Sequence, residues 1–431
     1  MTGRGSAIRT GLAGVLLAAS VVVVMLRLAG DPDPFSMLDL RVYQDAVIAW
    51  THGQPVYSLT YTPVGLPFTY PPFGLVALAW TAPLSFAAAA GVLTAASVLG
   101  LGLVALAVGR RLGWGPATAM LGAGAALWLE PVRATLAFGQ VNLVLLALVA
   151  CDALLVPERF RGVLTGVATA IKLTPGIFLL YFLLTGQRRA AGRQIAAAVV
   201  VSLLSVAVTP GSSLAYWTRL VFDNRAGAAI YMRNQALSGL VGRALGPSGP
   251  VTAVTLLASL IALGLGLLAV RACMARGELV GAFAATATAG LLISPISWDH
   301  HWVWALPLLA VMLARPVPPG GLARPRSWGR LARPRSWGRL ALGLMFAAVL
   351  AIGPQTLLPS ADDREYAWTW WQVVVGDLFP LLALACLGWL AFARPQRAGA
   401  VSRAVAGGGQ PAGSQRQFQT GPESRAPHRT G

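Results

Sequence analysis

Long apolar runs separated by short arginine-bearing connectors confine this chain to a bundle of membrane-crossing helices. Inside a bilayer every backbone amide needs a partner, and a continuous apolar run meets that need as a helix. A crossing takes about 20 apolar residues. Such runs lie near 8–29, 86–109, 114–130, 136–156, 194–209, 251–271, 279–296, 301–314, 340–357 and 371–393. Composition agrees: 11% of residues are charged, where a soluble chain carries about a quarter. The formal charge of +18 comes largely from arginines placed between the runs, a positive-inside pattern and not a nucleic-acid footprint.

The N-terminus has the charge order of a signal peptide (Arg4, Arg9, then an apolar run), but no small-residue cleavage site follows, so it reads as a first span that stays. Cys151, Cys273 and Cys386 are scattered without paired spacing and indicate neither a disulfide framework nor a zinc site. Arginine-rich connectors at 110–111, 157–161, 188–193, 271–278 and 315–339, with the tail, are assigned to the cytoplasm. Segments 30–72, 130–135, 210–250, 297–300 and 358–370 then fall outside, and they hold most of the acidic residues. The expectation is a multi-pass inner-membrane protein with both termini inside. Residues 1–394 form its transmembrane domain, and 395–431 a disordered tail rich in Gly, Pro, Arg, Ser and Gln. LARPRSWGR occurs twice, at 322–330 and 331–339, too short a repeat for a solenoid; it reads as an inert surface duplication.

Segment 162–184 departs from the rule. Arginines flank it on both sides (Arg159 and Arg161; Arg188, Arg189 and Arg193), and Thr174–Pro175 interrupts it, so it reads as two half-helices in a re-entrant hairpin. A broken helix at membrane depth is tolerated where it lines a cavity. Of the 33 basic residues one is lysine, Lys172, and it falls in this hairpin. A buried cation needs an anionic partner, such as a lipid phosphate, or a route by which it snorkels to the interface.

The first outer loop, from Leu38 to Gly74, mixes carboxylates, tyrosines and tryptophan beside the membrane. Residues 39–51 suit a short interfacial helix, and periodicity alone makes Asp39 its cap. Three further outer clusters combine amides and aromatics: Gln140 with Asn142, Asn234 with Gln235, and Trp298 with His300 and His301. Amides offer both a donor and an acceptor to hydroxyl-rich ligands. Each cluster alone reads as aromatic belt and helix capping; together on one side they point to a site. Adjacent histidines do not readily share an ion and no second cluster has ligand spacing, so no metal is expected.

The motifs DLRVYQDA (39–46), HGQPVY (52–57), LPFTYPP (66–72), FGQVN (138–142), GVLTGVATAIKLTPGIFLLYFLL (162–184), NQALSG (234–239) and SPISWDHHWVW (294–304) resemble glycosyltransferase family 87, the polyprenyl-phosphate-mannose-dependent alpha-mannosyltransferases. Ala236 stands where serine is more usual. The resemblance implies an all-helical GT-C fold, here about ten crossings plus the hairpin, with its site on the extracytoplasmic face. It implies a polyprenyl-phosphate-mannose donor, with arabinose or glucose as alternative sugars, and a lipid-anchored mannoside or lipoglycan acceptor. No cofactor is implied. It makes Asp39 the general base, with Asp45 as fallback. Lys172, His300 and His301 become candidates for stabilising the leaving phosphate, and Tyr43, Tyr70, Gln140, Asn142, Asn234, Gln235 and Trp298 for holding the sugars. The rival reading is a transporter or flippase of a lipid-linked sugar.

Overall fold

The structure, a computed structural model, describes residues 3–29, 36–222, 229–314 and 334–393. The expected tail, the first copy of the duplicated segment and the start of the second lie outside the described residues. In chain order the helices begin with α1 (Gly3–Ala29), α2 (Leu38–Thr51), α3 (Pro72–Ala77), α4 (Phe86–Arg111), α5 (Pro116–Ala126) and α6 (Glu130–Phe138). Next come α7 (Asn142–Leu154), α8 (Val163–Ile171), α9 (Phe178–Leu184), α10 (Arg188–Val208), α11 (Pro210–Thr218) and α12 (Leu237–Leu245). The last are α13 (Val251–Ala275), α14 (Leu279–Ile293), α15 (Leu306–Leu313), α16 (Pro334–Ile352), α17 (Trp370–Gly376) and α18 (Leu378–Phe392). Between α2 and α3, β1 (Thr60–Tyr61) pairs antiparallel with β2 (Leu66–Pro67).

Among the described residues four helices are long and apolar enough to cross a bilayer: α1, α4, α10 and α13. The number becomes six if each of two bent pairs, α6–α7 and α17–α18, is one span. Several runs expected as crossings take other forms. The run 136–156 is broken at Gly139, in the left-handed region at φ 67°, and α6 meets α7 at 118°. The run 301–314 is a 3-10 turn, Asp299–Ala305, followed by the eight residues of α15. The run 114–130 yields the 11-residue α5. Hydropathy counts apolar residues over a window; it does not register a glycine corner or a polar turn within one.

Segment 162–184 is broken as expected, and the break sits just ahead of the proline. Helix α8 stops at Ile171, Lys172 is extended (φ −147°, ψ 128°), and a 3-10 turn over Thr174–Ile177 leads into α9. In a continued helix the ring of Pro175 would clash with the carbonyl of Ile171, four residues earlier, and its nitrogen could not donate to it, so the chain leaves the helix after Ile171.

Small residues let the helices approach closely. A Cβ at Gly166 of α8 would stand 2.5 Å from the Gln194 carbonyl of α10, and one at Gly266 of α13 would stand 2.7 Å from Ala289 of α14. The interior is aromatic, with Phe178 stacked against Phe283 at 4.7 Å and Trp304 at 5.7 Å. By contrast α10 and α13 leave apolar faces uncovered: Leu203 is 62% exposed and Leu260 67%. Faces of that size suit lipid, not water, and the chain is a multi-pass membrane protein.

Side chains fasten several of the shorter segments. Gln44 of α2 donates to the carbonyls of Thr81 and Leu84 at 2.8 and 2.9 Å, fastening that helix to the chain after α3. The buried Arg243 of α12 pairs with Asp377 and also donates to the carbonyls of Ile230, Tyr231 and Asn234, tying residues 230–234 to the α17–α18 corner.

Candidate active site

Helix α2 is seated by its first residues. The Met37 amide donates to the Ala137 carbonyl at 2.6 Å. A Cβ on Gly139 would fall 2.7 Å from that of Leu40, so only glycine permits this approach. Met37, with no side-chain capping bond, occupies the cap position, and Asp39 lies inside the first turn. The capping reading of Asp39 is therefore replaced: its half-buried carboxylate is free of the helix end and hydrogen-bonds the Gln140 side chain.

Gln140 joins three parts of the sequence. Its Oε1 accepts from the Tyr43 and Tyr70 hydroxyls, each at 2.9 Å, and those hydroxyls are 2.7 Å apart. Tyr70 is held in turn by Tyr57, whose hydroxyl donates to the Tyr70 carbonyl at 2.7 Å. On the other side stands Lys172. Its ammonium donates to Tyr70 Oη at 3.2 Å, Asn142 Oδ1 at 3.0 Å and His301 Nε2 at 3.1 Å. A Cβ on Gly74 would meet the Ile171 carbonyl at 2.8 Å, so glycine there lets α3 press Tyr70 against the broken end of α8. The backbone of the histidine pair is pinned by Thr135 Oγ1 and Asn142 Nδ2, which donate to the His300 carbonyl at 3.0 and 3.3 Å. Eight residues named from sequence (Asp39, Tyr43, Tyr70, Gln140, Asn142, Lys172, His300 and His301) thus fall into one polar cluster, drawn from α2, the loop before α3, the α6–α7 corner, the hairpin and the turn at 299–305.

Burial pushes the Asp39 carboxyl above the usual carboxylate range; the His300 imidazole, the Gln140 hydrogen bond and the Lys172 ammonium each draw it back. Beside the cluster a cavity of about 30 Å³ has apolar walls from Ile177, Phe178, Leu291 and Trp304, and its lining includes Asn142 and His301. Among the described residues no group of three or more His, Cys, Asp or Glu is arranged to hold a metal ion.

The remaining candidates stand apart. Asn234 and Gln235 are fully buried. Asn234 donates to the Ala229 carbonyl and Ser238 hydroxyl and accepts from the amides of Ala236 and Ser297, which uses both donors and both lone pairs. Gln235 Nε2 donates to the Met232 and Gly376 carbonyls. The Asn234 amide is thus fully engaged by the protein's own groups, whereas among the described residues Gln235 Oε1 is buried with no hydrogen-bond partner. Trp298 bridges to Asn234 and rests edge-on against Tyr231 at 6.0 Å. Asp45 lies six residues beyond Asp39, about 120° around α2, and burial raises its carboxyl while Arg41 opposes that. Of the two carboxylates, Asp39 is the one in the cluster.

Sequence reasoning left out an ion cluster behind the histidines. Arg233 Nη1 is 2.5 Å from Asp299 Oδ2 and 3.7 Å from Glu130 Oε1, with its guanidinium 5.2 Å above the Phe138 ring. Asp299 is wholly buried, a cost that His300 and Arg233 more than offset, so its carboxyl lies below the usual range. The signal was present as acidic and basic residues within outer motifs, but not as a pairing, since 66 positions separate Arg233 from Asp299.

With this geometry in hand, similarity to known proteins is informative. The family model described as glycosyltransferase family 87 matches residues 68–295. A Mycobacterium tuberculosis protein named polyprenol-phosphate-mannose-dependent alpha-(1-2)-phosphatidylinositol mannoside mannosyltransferase is 35% identical over 403 residues, covering 87% of this chain and 88% of that one. A Mycolicibacterium smegmatis protein named as the corresponding phosphatidylinositol pentamannoside mannosyltransferase is 33% identical, covering 89% and 92%. The crystal structure of ArnT from Cupriavidus metallidurans in the apo state aligns over 88% of this chain and 76% of that one, at 17% identity and a TM-score of 0.39, too low to build on. The family match takes in Tyr70, the α6–α7 corner, the Lys172 hairpin and the 230–239 loop, and the relatives extend it along most of the chain: this protein belongs to glycosyltransferase family 87.

Proposed function

We propose that the protein transfers mannose from polyprenyl-phosphate-mannose to a lipid-anchored mannoside of the phosphatidylinositol mannoside class, on the extracytoplasmic face of the inner membrane. The observation that carries this reading is the placement of one half-buried ammonium, Lys172, on three neutral acceptors in the same cluster as the Asp39 carboxylate. A cation that no bonded carboxylate neutralises suits a phosphate, and a carboxylate nearby suits a hydroxyl proton.

In the reaction, an acceptor hydroxyl oxygen attacks the anomeric carbon as Asp39 takes its proton. The bond between that carbon and the phosphate oxygen breaks, and polyprenyl phosphate leaves with the electron pair. Lys172 and the histidine pair stabilise its growing charge electrostatically. Single displacement inverts the anomeric centre, so an alpha product requires a beta-linked donor. Tyr43, Tyr70, Gln140 and Asn142 orient the sugar. The apolar side chains beside His301 (Ile177, Phe178, Leu291 and Trp304) suit a donor that arrives on a lipid. In this reading the fold is a GT-C bundle of about ten crossings, the shorter apolar helices spanning as parts of bent pairs, with both termini cytoplasmic and 162–184 re-entrant.

The test is product analysis. Membranes containing the protein are given radiolabelled polyprenyl-phosphate-mannose, or its arabinose or glucose counterparts, with phosphatidylinositol mannosides. Label in the acceptor lipid from the mannose donor alone is expected. Label carried between leaflets without a new glycosidic bond contradicts the reading and makes the protein a flippase.

A further inference from the structure

We infer that Asp299 is a positioning residue that grips His300 through Nδ1, is itself locked by Arg233, and so fixes how the imidazole faces Asp39. The inference rests on the transfer reaction proposed above, in which Asp39 is the base.

The geometry is one-sided. Asp299 is fully buried and His300 nearly so, at 0% and 6% exposure, so Asp299 does not meet a substrate directly. Its Oδ2 is held by Arg233 at 2.5 Å. Arg233 is steadied by Glu130 and by the Phe138 ring beneath it. That leaves Oδ1, which accepts the His300 backbone amide at 2.8 Å and stands 3.5 Å from His300 Nδ1. Among the described residues neither ring nitrogen of His300 has a hydrogen-bond partner, although both are buried. Two buried, unpartnered ring nitrogens are costly, and a contraction of a few tenths of an ångström closes the Nδ1 bond.

The rest of the ring is already constrained. Phe138 meets it edge-on at 5.5 Å and His301 at 4.8 Å, while Thr135 and Asn142 hold its carbonyl. The charged and titratable groups around it are Asp299, with Arg233 and Glu130 behind, His301 alongside, and Asp39 and Lys172 across the cluster. An imidazole gripped at Nδ1 presents Nε2 on its opposite edge, away from Asp299. That edge lies toward the Asp39 side of the cluster in this reading, and the grip sets the tautomer as outer-shell carboxylates do for a ligating histidine in other proteins.

The first measurement needs no substrate. The chain has four histidines, so protein labelled with ¹⁵N-histidine in lipid nanodiscs gives a simple spectrum, with His300 assigned by His300→Gln. At alkaline pH the wild-type His300 is expected to carry its proton on Nδ1, and Asp299→Ala to release it to Nε2. A wild-type proton on Nε2 overturns the inference, whether or not any variant folds. The second is a double-mutant cycle on mannosyl transfer. Asp299→Ala is expected to lower kcat by about 10–100-fold with KM changed less than about twofold, Asp299→Glu to restore part of the rate, and Asp299→Ala to add nothing on top of His300→Gln. Equal losses in both backgrounds overturn the inference. Absence of transfer by the wild type would instead count against the mannosyltransferase reading, which the spectra do not depend on.

Discussion

Lys172 Nζ stands 3.1 Å from His301 Nε2. An ammonium has protons to give and no lone pair to offer, so His301 is the acceptor: its Nε2 is unprotonated and its proton resides on Nδ1. The other two contacts of Lys172, with Tyr70 and Asn142, are also to neutral oxygens. The cation is thereby oriented by three neutral acceptors without a hydrogen-bonded carboxylate to cancel it, a suitable resting state for a group that meets a phosphate during the reaction.

Replacing that charge should therefore strike the chemistry. Lys172→Met is expected to lower mannosyl transfer by about 10²–10³-fold, the range for removing an electrostatic stabiliser of a developing anion. Lys172→Arg should recover only part of this, because a planar fork cannot reproduce three contacts made by a point charge. Initial rates in membranes at matched expression decide it; a Met variant as active as the wild type would remove Lys172 from the mechanism.

The pH profile should report Asp39. A base must be ionised, and burial raises this carboxyl, so activity is full at higher pH and is lost as pH falls through a value above the ordinary Asp range of about 3.9. His300 and Lys172 both lower that value, His300 more. His300→Gln and Lys172→Met should each move the acid limb of kcat/KM upward, the first further. An acid limb that stays fixed in both variants would show that it belongs to another group.

Stability should move opposite to activity at Asp39. Because its carboxyl is raised in the folded state, the fold binds that proton more tightly than the unfolded chain does. Its contribution is then favourable at low pH and is lost as pH rises through the raised value. Asp39→Asn removes the buried charge, so at neutral pH its Tm should equal or exceed that of the wild type. A clearly lower Tm would mean that the carboxylate holds the fold together.

Gly139 tests how the site is assembled. Alanine there would sit at φ 67° with its Cβ 2.7 Å from that of Leu40. Gly139→Ala should cost about 1–3 kcal/mol of stability and, by shifting α2, reduce transfer although no polar group is lost. Thermal unfolding and rate measured together check this; unchanged values in both would show that α2 does not rest on the corner.

The sequence carried the polar inventory of the site better than its geometry. Lys172 was legible because a lone lysine in an apolar, proline-broken segment has few structural explanations, and the break fell within three residues of the predicted place. Asp39, Gln140 and His301 were legible as motif residues, but their meeting was not, since it depends on the 118° turn between α6 and α7. Hydropathy had smoothed that turn into a straight crossing. The hydrogen bonds by which Asn234 and Gln235 fasten residues 229–238 were not legible for a related reason: an amide looks the same in sequence whatever it bonds. The Arg233–Asp299 pair was hidden by sequence separation, because a charge in an outer loop carries no mark of the one it will neutralise.

The measurement that tests the account most directly compares the wild type with Asp39→Asn at equal expression, following label from polyprenyl-phosphate-mannose into a phosphatidylinositol mannoside acceptor. The account predicts transfer by the wild type and a loss on the order of 10²–10⁴-fold in the variant, with the variant folded. Transfer surviving at the wild-type rate in Asp39→Asn would contradict it.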